Sequence, residues 1–199
     1  MGRCAATLAE MIGALDEAPT ETSWLRQVHS GRILDARPGC SGEGDALLTR
    51  RSGLAVAIAT ADCVPVVLAG PRAVAVVHAG WRGIAAGIVP AAVLRLAEHG
   101  AVEAAWIGPA IGPCCYEVGE DVADRVEAAA GPAARVAGRS GRKPHLDLVA
   151  AVEGQLRAAG VPSVESAGLC TRCRPDWHSF RRDGAGAGRN WTLAWLRSA

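Results

Sequence analysis

Two short valine-rich runs separated by a turn cluster constrain the fold of this chain most strongly. Residues 64–69 and 73–77 flank Gly70-Pro71-Arg72, a pattern typical of a β-hairpin. A turn of two or three residues makes paired positions sum to about 141–143, which sets His78 opposite Cys63, Val64 or Pro65. Opposed side chains on one face lie roughly 5 Å apart at Cβ. Cys63 and His78 are therefore predicted to lie close enough to share a metal ion.

A metal site with one cysteine and one histidine needs at least one further ligand. His29 is the best candidate because it ends a predicted strand, but the sequence leaves the other histidines open, namely His99, His145 and His178. Two imidazoles and one thiolate would hold Zn²⁺ and leave a fourth tetrahedral position for water or substrate. Zinc in such a site lowers the pKa of its bound water to about 7. Taken separately, Cys63 is better explained as a small buried hydrophobic residue and His78 as an ordinary surface or core histidine, and only their convergence favours a metal site.

Composition and charge narrow the class of protein. The 199 residues suffice for one domain with a substantial core or for two small ones. The formal net charge is +1 without a basic block, so the electrostatic pattern of a nucleic-acid binder is missing. No apolar run reaches the roughly 18 residues that span a bilayer. Seven cysteines without a secretion signal favour reduced thiols. We expect a cytoplasmic protein that binds neither nucleic acid nor membranes.

Helical and strand patterns alternate along the chain without a strict βαβ order. The spacing of apolar residues predicts helices over 4–16, 83–99, 118–130 and 146–159. Strands are predicted over 24–29, 54–60, 104–107 and 191–196 in addition to the hairpin, with loops over 37–44, 131–142 and 170–190. This arrangement indicates an α/β protein with mixed sheets.

Basic side chains occur at two places that could hold an anion. Arg82 follows the hairpin in a glycine-containing turn before a predicted helix, and Arg181, Arg182 and Arg189 form a basic loop near the C-terminus. A tight turn and a solvated surface loop explain these two patterns about as well.

Four cysteines could in principle form a second zinc site. They are Cys114, Cys115, Cys170 and Cys173. One C-x-x-C beside a vicinal pair lacks the usual paired spacing, and adjacent cysteines do not easily face one ion. The sequence therefore does not favour this second site.

Seven motifs follow one another along nearly the whole chain. They are RQVHS (26–30), GDALLT (44–49), ATADCVPVVLA (59–69), AVVHAGWRG (75–83), IGPAIGPCCYEVG (107–119), HLDL (145–148) and LCTRCRPDWHSFRRDG with a following GR (169–189). Together they resemble the YfiH family, also called the laccase-domain or polyphenol oxidase family. The pattern departs from the family at two places. The glycine- and serine-rich stretch before the first helix is missing, and the string WHSF (177–180) replaces a more aromatic form.

The resemblance implies an αββα-layered fold with mixed sheets in a single domain, 1–199, that is short at its N-terminus. It also implies a zinc ion held by His29, Cys63 and His78, and phosphorolysis of adenosine, inosine, guanosine or methylthioadenosine, accompanied by adenosine deamination. Copper is less favoured, because a multicopper oxidase draws on more histidines than the five present.

Roles for individual side chains follow as hypotheses. Asp62, beside the metal ligand Cys63, is the candidate proton-transfer group. Arg82 and the basic loop are the candidate phosphate ligands. Two alternatives stay open. One is a metal-assisted or thiol hydrolase with Cys63 as nucleophile and His78 as base. The other is a zinc-binding module without catalysis.

Overall fold

The computed structural model describes residues 8, 12–13, 15, 18–136 and 143–197. Its strands are β1 (Glu21–Arg26), β2 (Ile33–Asp35), β3 (Gly39–Glu43), β4 (Ala46–Thr49), β5 (Leu54–Thr60), β6 (Val64–Ala69), β7 (Val74–Ala79), β8 (Ala104–Ile107), β9 (Arg135–Val136), β10 (His145–Leu146), β11 (Ser163–Ser166) and β12 (Asn190–Ala194). Its α-helices are α1 (Trp81–Ala85), α2 (Ile88–Ala97), α3 (Glu120–Ala130), α4 (Leu148–Ala158) and α5 (Phe180–Asp183). Short 3₁₀ turns occupy Pro132–Ala134 and Gly184–Gly186.

Two mixed sheets make up the centre of the structure. One has four strands in the order β12-β5-β1-β3, and the other has six in the order β11-β8-β6-β7-β4-β2. Both combine parallel and antiparallel pairs: β1 lies parallel to β5, whereas β12 is antiparallel to it. The small strands β9 and β10 form a separate antiparallel pair.

Two apolar clusters hold these layers together. Between the sheets lie side chains that include Leu47, Ile58 and Val76, all nearly inaccessible to water. A larger cluster joins the six-stranded sheet to helices α1 to α4, with residues such as Ile84 and Leu156 buried completely. Strands covered on one face by a sheet and on the other by helices lose their polar alternation, as in β4 and β7, where every residue is buried. The architecture confirms the predicted α/β class with mixed sheets.

The predicted strands at the centre of the sheets are confirmed. The bounds of β5, β6 and β8 agree with the sequence expectation. The hairpin turn has four residues, 70–73, so β7 covers 74–79 rather than 73–77. His78 pairs with Pro65, one of the three partners that the sequence left open.

Other boundaries differ from the prediction. The helix predicted over 83–99 is two helices, because Gly87 adopts a left-handed conformation (φ 74°) between them, and Pro90 lies in the first turn of α2. Part of the predicted loop 37–44 is strand β3, which pairs in parallel with β1. Strands β2, β4, β9, β10 and β11 were not predicted. Strand β1 ends at Arg26, so His29 follows the strand and does not end it as predicted. The predicted helix 4–16 lies largely outside the described residues.

Among the residues that the structure describes, no helix is long and apolar enough to cross a membrane.

Candidate metal centre and pocket

The structure brings His29, Cys63 and His78 together at one end of the two sheets. His78 belongs to β7, Cys63 directly precedes β6, and His29 lies in the loop after β1. One ligand atom from each residue lies within 4.8 Å of the others. Cys63 Sγ is 3.9 Å from His29 Nε2, and the two imidazole rings meet edge to face with their centroids 4.8 Å apart. Within the described part of the chain, His99, His145 and His178 do not belong to this group.

These distances suit a single small cation. Zinc bonds of about 2.0 Å to nitrogen and 2.3 Å to sulfur place tetrahedral ligand atoms about 3.5 Å apart. The observed spacing of the ligand atoms is slightly wider. Small side-chain rotations would bring them to the distances that a bound ion requires. Two nitrogens and one sulfur form a donor set that metals of the zinc type prefer. The three residues therefore fit a metal centre with one coordination position left for another ligand.

Asp45, a fully buried carboxylate, connects the two histidines. Its Oδ1 lies 2.8 Å from His78 Nδ1, and it accepts a 3.0 Å hydrogen bond from the backbone N–H of His29. The backbone N–H and hydroxyl of Ser30 also donate to it, at 2.6 and 2.7 Å. A carboxylate on Nδ1 orients the ring and leaves Nε2 free for a metal. Sequence reasoning missed Asp45, although an acidic residue directly before the apolar run 46–48 is a visible signal.

The same contacts shift the acidity of the buried groups. Burial would lower the pKa of His78, but hydrogen bonds to Asp45 and Cys63 outweigh it and raise that pKa to about 9. Burial would raise the pKa of Cys63, yet hydrogen bonds with His29 and His78 lower it to about 7. Hydrogen bonds from His78 and Ser30 overcome burial and hold the pKa of Asp45 well below its usual range. The centre therefore favours a thiolate at Cys63.

Gly80 lies directly against two of the three candidate metal ligands, Cys63 and His29. A Cβ atom at this position would lie 3.0 Å from both Cys63 Sγ and His29 Cδ2. Its φ of −76° is accessible to any residue, so only space requires glycine here. In the sequence Gly80 stands in the HAGWRG motif, where we expected it to serve an anion-binding turn.

A cavity of about 650 Å³ opens beside the three candidate metal ligands. Aromatic side chains form much of its wall, namely Trp24, Trp81, Tyr116, Phe180 and Trp191. The cavity lies here because β12 runs antiparallel to β5, with Asn190 opposite Thr60, and so brings the preceding basic loop beside Asp62 and Cys63. Sequence reasoning did not find this aromatic wall, since its members are spread over the whole chain.

Three of the four predicted phosphate ligands line the cavity. Arg82 stacks over Trp81, with 4.5 Å between the guanidinium carbon and the ring centroid. Arg181 lies 5.0 Å over Tyr116 and donates to the Glu117 carbonyl at 3.0 Å. Arg189, the third, donates to carbonyls of its own turn.

Arg182 differs from the other three and does not line the cavity. Its guanidinium donates to the backbone carbonyls of Thr171, Arg174 and Trp177 and pairs with Asp183. The structure gives Arg182 the role of holding the C-terminal loops together, in place of the predicted phosphate contact.

Asp62 lines the cavity and has both carboxylate oxygens occupied. It accepts hydrogen bonds from Thr171 Oγ1 at 2.7 Å and from the Arg181 backbone N–H at 2.6 Å. Its backbone has a φ of 90°, in the left-handed region. These contacts join the turn before Cys63 to the C-terminal segment, a role that comes in addition to the predicted proton transfer.

The structure also brings Cys114, Cys115, Cys170 and Cys173 together, contrary to the sequence expectation. One sulfur from each lies within 4.8 Å of the others.

Comparisons with known proteins show similarity over nearly the whole chain. Residues 3–197 match the family described as multi-copper polyphenol oxidoreductase laccase. Over 194 residues the chain is 39% identical to a purine nucleoside phosphorylase of Deinococcus radiodurans, covering 94% of this chain and 75% of that protein. It is 42% identical over 187 residues to a purine nucleoside phosphorylase of Streptomyces coelicolor, covering 89% and 76%.

Solved structures agree as well. The hypothetical protein YfiH of Bacillus licheniformis superposes with a TM-score of 0.85 at 29% identity, covering 94% of this chain and 79% of that one. YlmD from Geobacillus stearothermophilus gives 0.84 at 32% identity, covering 96% and 78%. These similarities confirm the resemblance found in the sequence.

Replacing Asp45 by Asn tests the buried carboxylate. The variant leaves buried N–H donors facing an amide, so we expect the free energy of unfolding to fall by about 3 kcal/mol. We expect the affinity for zinc to fall roughly 10- to 100-fold, because His78 loses its orienting partner. Urea denaturation and competition with a chromophoric chelator measure the two effects. Asp35→Asn, which breaks an exposed pair with Arg95, is the control. Unchanged zinc affinity in Asp45→Asn would contradict the orienting role.

Replacing Gly80 by Ala tests the close approach behind the ligands. The added methyl group pushes Cys63 and His29 apart, so zinc affinity should fall roughly tenfold while the melting temperature changes little. Gly31→Ala is the matched control, because its methyl group would meet its nearest atom at an ordinary 3.5 Å. Equal zinc affinity in the two variants would show that the spacing at Gly80 does not matter.

Proposed function

Since this chain belongs to the family described as multi-copper polyphenol oxidoreductase laccase, and relatives at about 40% identity are named purine nucleoside phosphorylases, we propose that it phosphorolyses purine nucleosides. We further propose that it holds zinc and deaminates adenosine. One observation carries the proposal: the cavity that contains His29, Cys63 and His78 also contains an aromatic wall and three arginines.

The proposed metal ligands are His29, Cys63 and His78. Their donor set suits zinc, and three protein ligands are typical of catalytic rather than structural zinc sites. A bound zinc ion would supply Lewis acidity and acidify a water molecule, the chemistry that hydrolytic loss of the adenosine amino group requires. Copper is less favoured, because a multicopper oxidase needs further histidine ligands that this group of three does not provide.

The aromatic wall supports a purine nucleoside as the substrate. A cavity of about 650 Å³ is within the size range of small-molecule sites. Stacking of a base on an aromatic side chain contributes about 1–3 kcal/mol. Trp81, Tyr116 and Phe180 line the same cavity as the metal ligands, so a stacked base would lie beside them.

The arginines support phosphate as the second substrate. In phosphorolysis a phosphate oxygen bonds to the anomeric carbon of the ribose while the glycosidic C–N bond breaks. The electron pair of that bond and one proton go to the base. Arg82, Arg181 and Arg189 would bind the phosphate dianion and offset its charge as the bond forms. Asp62 is the proposed proton-transfer group, and its bonds with Thr171 and Arg181 fix the orientation of its carboxylate.

A thiol hydrolase is the second candidate function. Its support is the closeness of Cys63 to both histidines, with Sγ 3.9 Å from His29 Nε2 and within 4.8 Å of a His78 ring nitrogen, together with a lowered thiol pKa of about 7. In that mechanism Cys63 is the nucleophile and His78 the base. A zinc-binding module without catalysis is the third possibility, and it predicts bound zinc with no turnover.

The principal test follows products from adenosine and inosine with phosphate. Cys63→Ala removes the sulfur ligand, so we expect loss of at least 100-fold in the formation of free base and ribose 1-phosphate, and in the conversion of adenosine to inosine. Chromatography of the products measures both reactions. Cys40→Ala, which changes an exposed thiol on β3, is the matched control.

Chelation separates the three candidate functions. Loss of activity with a chelator and its return with zinc support the zinc enzyme. Activity that survives chelation but ends on alkylation of Cys63 supports the thiol hydrolase. Stoichiometric zinc without turnover of any purine nucleoside supports the binding module and rules out the proposed function.

The contrast between Arg82 and Arg182 tests the phosphate site. Arg82→Gln should raise the KM for phosphate about 10- to 100-fold at an unchanged melting temperature, since a charge-assisted hydrogen bond contributes about 1.5–3 kcal/mol. Arg182→Gln should lower the melting temperature, because its carbonyl contacts are lost, and should leave the KM for phosphate nearly unchanged. Steady-state kinetics and thermal denaturation measure these effects. The reverse pattern would exchange the two roles.

A further inference from the structure

Two turns that carry cysteines meet beside the pocket. Strands β8 and β11 are adjacent and parallel, so the segments that follow them leave the same edge of the sheet. Ala110 pairs with Cys170 in an isolated bridge, and the Thr171 backbone N–H donates to the Ala110 carbonyl at 3.0 Å. This pairing places the turn with Cys114 and Cys115 against the turn with Cys170 and Cys173.

The four sulfur atoms converge on one point. Each lies within 4.8 Å of the other three, with 3.7 Å between those of Cys114 and Cys173 and 3.4 Å between those of Cys115 and Cys173. A disulfide requires about 2.05 Å. Zinc bonds of about 2.3 Å to sulfur place the corners of a tetrahedron about 3.8 Å apart. The observed spacing matches the edges of a tetrahedron around a single ion.

The vicinal pair can face one ion because its backbone forms a helical turn. The N–H groups of Cys115 and Tyr116 both donate to the Gly112 carbonyl, at 3.0 and 3.1 Å. Successive side chains on such a turn are about 100° apart rather than on opposite sides. The sequence argument against this site assumed that adjacent cysteines diverge, and the turn removes that objection.

Positive and N–H groups surround the sulfur atoms. The Gly112 N–H donates to Cys170 Sγ at 3.2 Å, and the Cys173 N–H donates to the same sulfur. The Arg172 guanidinium donates to Cys115 Sγ at 3.4 Å. Four thiolates around a dication carry excess negative charge, and these donors stabilise it.

We propose that Cys114, Cys115, Cys170 and Cys173 form a second, structural zinc site with four thiolate ligands. Four protein ligands close the coordination sphere, so this site holds two loops together rather than binding substrate. Sulfur atoms that converge on one point suit a single ion, whereas an iron–sulfur cluster distributes its ligands over several irons. The site does not depend on the proposed function.

The second site also supports the wall of the pocket. Tyr116 follows Cys115 directly and lines the cavity. Thr171, between Cys170 and Cys173, is completely buried and donates to Asp62. Zinc between the two turns would therefore fix both an aromatic side chain and the partner of Asp62.

Metal analysis of the full chain, purified with a thiol reductant, counts the two sites separately. We expect two zinc ions per chain in the unchanged protein, and one each in Cys63→Ala and in the double variant Cys170→Ser with Cys173→Ser. All three changes combined should leave none. Cys40→Ser is the control and should keep the full content. Zinc that is lost only in the double variant would contradict the metal centre of the proposed function and still support the second site.

Cobalt substitution reports the ligand type. Co²⁺ bound to Cys63→Ala should show the visible bands of a tetrahedral ion and a strong near-ultraviolet sulfur-to-metal band, and the double variant should lose most of that band. If the double variant does not fold, Cys173→His combined with Cys63→Ala retains four ligands at the second site and should bind one cobalt with a weaker sulfur band. Absence of metal from Cys63→Ala, or four thiols recovered as disulfides by mass spectrometry, would overturn the proposal.

Discussion

The buried carboxylate of Asp45 is the interaction on which the rest of the site depends. Asp45 lies between β3 and β4. Its carboxylate binds His78 of β7 and accepts hydrogen bonds from backbone N–H groups in the loop after β1. Because β1 belongs to the four-stranded sheet and β7 to the six-stranded one, this group connects the two sheets at the metal ligands. A buried charge is stable only when its oxygens are paired, and here hydrogen-bond donors surround it. The positions of both histidines follow from that requirement.

The opposite wall of the pocket depends on contacts of even longer range. Asp62 is 109 residues from Thr171 in the sequence and 119 from Arg181, and it binds both. The Arg182 guanidinium donates hydrogen bonds to a carbonyl in the turn after β11 and to another in the loop before α5, and so connects these two segments. One wall of the cavity is therefore held by the buried carboxylate of Asp45, and the opposite wall by Asp62, both of whose carboxylate oxygens accept hydrogen bonds. The arginines that line the cavity keep cationic surface available for an anion.

Place in the sheets explains most of the difference between predicted and missed strands, with the missed inner strand β4 and the predicted edge strand β12 as exceptions. β5, β6 and β8 lie inside a sheet, where apolar residues must fill both faces, and their valine- and alanine-rich runs are visible in the sequence. Three of the missed strands, β2, β3 and β11, are edge strands with partly exposed side chains. Backbone pairing with a neighbour forms these strands, and it leaves little trace in side-chain pattern. The same reasoning explains why Gly39–Glu43 was expected to be a loop.

The sequence by itself determined the hairpin and the proximity of Cys63 to His78, and its resemblance to a known family pointed to His29 as the candidate third ligand. Short-range pairing across one turn suffices for the first two, because hairpin register follows from loop length. Only the tertiary structure decided that Asp45 orients His78, that Arg182 supports loops while Arg82 faces the cavity, and that four cysteines converge. Each of these depends on where separate segments meet. The meeting points are set by the packing of two sheets and the helices upon them, and no local pattern of residues records that packing.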